Sequence, residues 1–241
     1  MKDIKEFYIL GLPIDTEIGQ CEFIKVKEYP DYFADLQIMS LNKLHIIYKY
    51  HEINKNHEFD DVIKELKRLT LFEIVTSIPE IQMAYYRVFL KVFDNEEALY
   101  KINNQNFDYY RKLIMDMNCV KEEVINPNPE IQRFIEKSKR VKQQDSEPLT
   151  FADIVSSVVG YNGLSYQDIN EMTVYQLYMT FHRIAQIKGY DTAVLFKTVQ
   201  EKFKENIKVE NWCKHINLLE EEKHAIEYNT FKQTTGSIVN E

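Results

Sequence analysis

The stretch GLSYQDINEMTVYQLYMTFHRIAQIKGYD, residues 163–191, decides the fold, because it holds start, face and stop signals for helix in one run. Thr173 is an N-cap candidate: its hydroxyl can accept a free N–H of the first turn, and Gln176 can bond back to the cap. From there Val174, Leu177, Tyr178, Phe181, Ile184 and Ala185 recur at three and four, so one side of the helix is apolar. Gln176, Arg183 and Gln186 take the other side. Gly189 is placed as a left-handed C′ residue, and Asp191 as the cap of a second helix through Val194, Leu195, Thr198, Val199 and Lys202. The expected unit is a helical hairpin whose apolar stripe must be covered.

The rest of the chain agrees with a helical reading. Its 241 residues are 44% hydrophobic, enough for a real core, and contain only six Gly and six Pro, too few for a sandwich with a turn every ten residues. The 16 Tyr and 14 Phe suit both cores and protein interfaces, since each buries a large area and tyrosine keeps a polar tip. A net charge of −8 repels nucleic acid and anionic membrane, so neither is an expected partner. Cys21, Cys119 and Cys213 form no CxxC pair, which points to buried thiols in a reducing compartment. With neither a leader-like start nor a long apolar run, the chain is expected to be soluble and intracellular.

Residues 1–30 read as one or two short strands, from the turn signals Gly11, Pro13 and Gly19 and the alternation in QCEFIKVKEY. Helices follow: one after Pro30, a second capped by Ser40, and a long one over 60–77 capped by Asp60. The second could also be a strand at Ile46, Ile47 and Tyr48. Ser77, Pro79 and Glu80 open the next helix, Asp94 and Glu97 a short one, Asn106 another to Met117, and Asn128 with Pro129 one more. The fold class is therefore mainly α: a helical bundle with one or two short N-terminal strands and a second small helical unit.

KSKRVKQQDSEP has almost nothing to bury and marks the boundary. The expected division is an N-terminal helical domain over 1–143, a linker over 144–148, a C-terminal helical domain over 149–228 and a flexible tail over 229–241. In the C-terminal unit Thr150 and Asp153 frame a helix with Phe151, Ile154, Val155 and Val158, stopped by Gly160. A last amphipathic element includes Val209, Trp212, Cys213 and Ile216.

No chemistry stands out. His45, His51 and His57 are six residues apart, a rotation of about 600° along a helix, so they do not share a face as ligands at i and i+4 do. His182 sits beside the apolar stripe, and His215 and His224 lack any ligand frame. There is no GxSxG, no GxxxxGK[ST] and no GxGxxG, and paired acids in so acidic a chain read as caps and solvated faces. The basic run Lys137, Lys139, Arg140 and Lys142 reads as a charged connector. No catalytic residue, cofactor or metal is predicted.

The segment 150–200, with its LSYQDINEMTVYQL entry, the helix bearing Phe181 and the later Trp212 segment, resembles the C-terminal region of tail assembly chaperones of long-tailed bacteriophages infecting Gram-positive bacteria. LPIDTEIGQCEFIKVKEYPDYFADLQIMS, residues 12–40, is similar to the opening of phage proteins encoded near the tape measure gene. The resemblance implies a non-enzymatic protein of the host cytoplasm that binds the tape measure protein through apolar helical surfaces and helps recruit tail tube subunits. Such chaperones often exist in two lengths made by frameshifting. The alternative is a structural virion component, a connector or baseplate part, and self-association stays an option. The candidate partner-binding positions are the apolar residues Phe151, Ile154, Val155, Val158, Tyr175, Tyr178 and Phe181, taken as exposed.

Overall fold

The computed structural model describes residues 4–54, 58–122, 125–126, 131–132, 135, 137, 149–199 and 209–218. The expected linker, the expected tail, the Asn128–Pro129 helix start and most of the basic run lie outside them. Among the described residues the architecture is mainly α, with eleven helices and one two-stranded sheet.

The first thirty residues hold a helix that their turn residues concealed. Helix α1 (Ile4–Leu10) ends at Gly11, whose φ of +64° is left-handed. A Cβ there would also lie 3.1 Å from Cγ2 of Thr173, so glycine is needed for conformation and for close approach. Strands β1 (Ile14–Asp15) and β2 (Gln20–Cys21) then pair antiparallel, Ile14 opposite Cys21 and Asp15 opposite Gln20.

Helix α2 (Tyr29–Met39) begins before the expected start after Pro30, taking the proline into its first turn, and ends at Ser40, whose hydroxyl donates to the Gln37 carbonyl at 2.6 Å. Ser40 thus closes α2; the cap of α3 (Lys43–Ile53) is Asn42, which accepts the His45 N–H at 2.8 Å. The expected long helix over 60–77 is two helices, α4 (Asp60–Arg68) and α5 (Leu71–Ser77). Thr70 makes the break. Its N–H donates to Glu73 at 2.6 Å and its hydroxyl accepts the Glu73 N–H at 3.3 Å, a complete capping box inside an otherwise periodic run. Helix α6 (Pro79–Phe93) starts on its proline after an extended Ile78 and ends on left-handed Asp94. Helices α7 (Glu96–Tyr100), capped by Asn95, and α8 (Phe107–Met117) complete the first half.

In the second half, α9 (Phe151–Asn162) has the Thr150–Asp153 capping box that its sequence implied. It passes through Gly160 and stops at left-handed Gly163, so Gly160 is not the terminator. Helix α10 (Tyr166–Glu171) is capped by Ser165. The largest departure follows. Helix α11 (Val174–Val199) begins with the expected Thr173–Gln176 exchange at 2.9 and 3.1 Å, but runs unbroken through Gly189 for 26 residues. There is no hairpin: a lone glycine costs a helix interior only about 1 kcal/mol relative to alanine, too little to end it without a left-handed cap. Residues 209–218, expected to carry an amphipathic element, form no regular one.

Gly189→Ala measures the difference between the two readings. A left-handed terminator would lose stability on gaining a Cβ; in a helix interior, with nothing within 4 Å of that Cβ, alanine should add roughly 0.5–1 kcal/mol, read from thermal unfolding.

The main core lies where α6 (Val88, Phe89, Val92) meets α2 (Leu36, Met39) and α8 (Ile114, Met117), all at most 3% exposed. A chain of ring contacts runs through it from Phe72 to Phe107, Tyr85, Phe89, Phe93 and Tyr110, with centroids 5.3–6.2 Å apart. Much of the aromatic excess is therefore packing. Val174 and Tyr175 of the second half, and Ile216 and Leu218, join this same core.

Candidate partner-binding surfaces

The segment 22–28 joins the two halves. Its backbone bonds Val92 through the Glu22 N–H (2.8 Å) and Met172 through the Val26 N–H (2.9 Å), while its Ile24 carbonyl accepts from Val174 (3.2 Å). Beside this seam Lys25 and Lys27 both grip Glu171, at 2.7 and 2.5 Å. Hydrogen bonds from Lys25 and then Lys27 hold the Glu171 carboxyl near a pKa of about 2, below its ordinary 4.5. A depressed carboxyl pKa contributes stability above the unfolded value that is lost as pH falls through the folded one. Between pH 4.5 and 2 the wild type should therefore lose more stability than Glu171→Gln. All three side chains are about half exposed, so the difference will be small and salt-sensitive.

Helix α11 spans about 39 Å at 1.5 Å per residue. Its buried side chains, Val174, Tyr175 and Leu177, all lie in the first turn, and Gln176 ties it to α1 by donating to the Ile9 carbonyl at 3.0 Å. From Tyr178 to the end no described residue is buried. Its last turns present Leu195, Phe196 and Val199, 61%, 49% and 71% exposed, at the i, i+1, i+4 spacing of one apolar edge.

The seven positions expected to be exposed are not. Ile154, Val158 and Tyr175 are core residues, at most 5% exposed. Phe151, Val155, Tyr178 and Phe181 are half-buried and pack around a cluster of Val26, Ile154, Val158, Ile169 and Leu177. The 3.6-residue stripe was real, but α9 and α11 spend it on each other and on Val26 of the seam. Among the cysteines, Cys21 is buried and Cys119 partly so, as expected; Cys213 is exposed.

Among the described residues, apolar hollows open on the surface. One, of about 180 Å³, lies over the aromatic chain between Phe72, Tyr85, Phe89 and Phe107. Another, of about 220 Å³, lies between Ile9 of α1, Tyr175 and Met179 of α11, and His215 to Asn217. Sequence reasoning also passed over Arg111, 5% exposed, whose signal was its place on the apolar face of α8, four residues after Phe107 and three before Ile114. Among the described residues no helix is long and apolar enough to cross a membrane.

Residues 2–127 match the family described as YomV N-terminal domain, and residues 141–217 match the YomV second domain. Over 227 residues, 94% of each chain, the sequence is 43% identical to the SPbeta prophage-derived uncharacterized protein YomV of Bacillus subtilis (strain 168). No solved structure matches the chain. Matches over both halves and along nearly the whole length of a prophage-derived relative place the chain in the YomV family of phage-derived proteins.

Proposed function

We propose that the protein is a non-enzymatic tail assembly chaperone, acting in the host cytoplasm, that receives an apolar helix of the phage tape measure protein and helps recruit tail tube subunits. The observation that carries this reading is the last described turns of α11, where Leu195, Phe196 and Val199 are exposed beyond the part packed on α9. A tape measure helix needs its apolar stripe shielded until the tube closes around it, and helix against helix is a packing that an exposed edge of this spacing supports. Phage derivation and the resemblance of residues 150–200 support the choice of a tape measure protein as the partner.

The test is co-expression with the tape measure protein of the same phage. The wild type should raise its soluble yield and co-purify with it; a Leu195→Ser, Phe196→Ser, Val199→Ser triple variant should stay folded, since these side chains leave the core untouched, and lose the partner. Equal yields with and without the wild type would overturn the reading. Stoichiometric protein in purified virions, measured by mass spectrometry, would replace it with the virion-component reading.

A further inference from the structure

The hollow between α1 and α11 has a cover made by the chain itself. Residues 209–218 lie across it without regular structure, pressing Ile216 and Leu218, each 8% exposed, into the main core. Their anchor is one side chain of α11: Nη1 of Arg183 donates to the carbonyls of Trp212 (2.7 Å) and Lys214 (3.0 Å) and to Oε1 of Gln186 (2.8 Å). Beside this segment about 220 Å³ stays open to the surface, between Ile9, Tyr175 and Met179 on one side and His215 to Asn217 on the other. Space of that size against aliphatic and aromatic walls forfeits the dispersion contacts that a close-packed core gains. An irregular segment whose residues 210–215 are exposed, and which lies beside an open hollow, is held less firmly than the helices it rests on.

We infer that residues 209–218 are a displaceable strap: the protein has a closed state, in which Arg183 holds the strap over the α1–α11 cleft, and an open one, in which Ile9, Tyr175 and Met179 are uncovered together. The occupant of the cleft in the closed state is the strap, whose Ile216 and Leu218 take the places that a competing apolar segment would need. Ile9, already 43% exposed at the rim, and Trp212, 46% exposed on the strap, mark where opening starts. This inference is independent of the tape measure reading, because it concerns an equilibrium within the chain.

Hydrogen exchange by mass spectrometry on the full chain tests it. Arg183→Ala removes a charge-assisted anchor and should speed amide exchange of residues 209–218 and of the first turn of α11 by roughly tenfold or more, with α2, α6 and α8 unchanged. Met179→Phe, which fills the hollow, should slow exchange in the same peptides. Unaltered strap exchange in Arg183→Ala, or an equal rise across α2, α6 and α8, would overturn the inference, the first by denying the anchor and the second by showing that the strap opens only with global unfolding.

Discussion

Arg111→Leu should lower the free energy of unfolding by about 3 kcal/mol, a shift of roughly 6–12 °C in Tm for a chain of this size. The guanidinium is buried in α8 yet works at the end of α2. Its Nε donates to the Met39 carbonyl at 3.1 Å and to the Tyr85 hydroxyl at 3.0 Å; its Nη2 donates to Met39 again at 2.8 Å and to Leu41 at 3.3 Å. Met39 is the last residue of α2, where helix carbonyls have no partners of their own and the helix dipole presents its negative end. A cation from another helix satisfies both needs.

Leucine would fill part of the volume but leave the buried Met39 carbonyl with only the Tyr85 hydroxyl, 3.5 Å away, and take a donor from the partly buried Leu41 carbonyl, at about 1–3 kcal/mol for each under-satisfied buried group. The Glu122 carboxylate, bound to Nη1 at 2.6 Å, is 43% exposed and would rehydrate, so Glu122→Gln should cost far less. Arg111→Lys keeps the charge but not the fork and should recover only part of the loss. Urea midpoints at constant m-value would decide, and a loss under 1 kcal/mol for Arg111→Leu would show that α2 does not depend on this bond set.

What the sequence disclosed depended on whether a signal was local. The capping exchanges at Thr150 and Thr173 could be read because both partners lie within one turn, and both are present. Thr70 with Glu73 has the same form but was hidden by apolar periodicity on both sides, and so α4 and α5 were read as one helix. Gly189 failed for the opposite reason: glycine permits a left-handed end without requiring one, and neighbours in space decide. The same limit governs the candidate site. Periodicity identifies the stripe of α11 but does not say which part of it α9 and the seam cover. Arg111 and the Lys25–Glu171 clasp join residues far apart in the chain, and no local pattern announces such pairs.

The seam makes a stronger demand on cooperativity than two separate helical units would. Leu177→Ala should destabilise by about 3 kcal/mol, from lost transfer free energy and from a cavity that a fully buried site closes poorly. Leu177 packs with Ile154, Val158 and Ile169 of its own half, and also with Val26. Val26 cannot move alone: its segment is bonded to Val92 at the end of α6 and to Val174 at the start of α11. A cavity at Leu177 therefore loosens the frame on which both halves close, and the loss must reach the core around Val88 and Ile114. Native-state hydrogen exchange reads this directly. Protection in α6 and in α9 should fall by the same free energy in Leu177→Ala, because both open in one cooperative unit. If protection fell in α9 and α11 while α6 kept its wild-type value, the seam would be a contact between independently stable units.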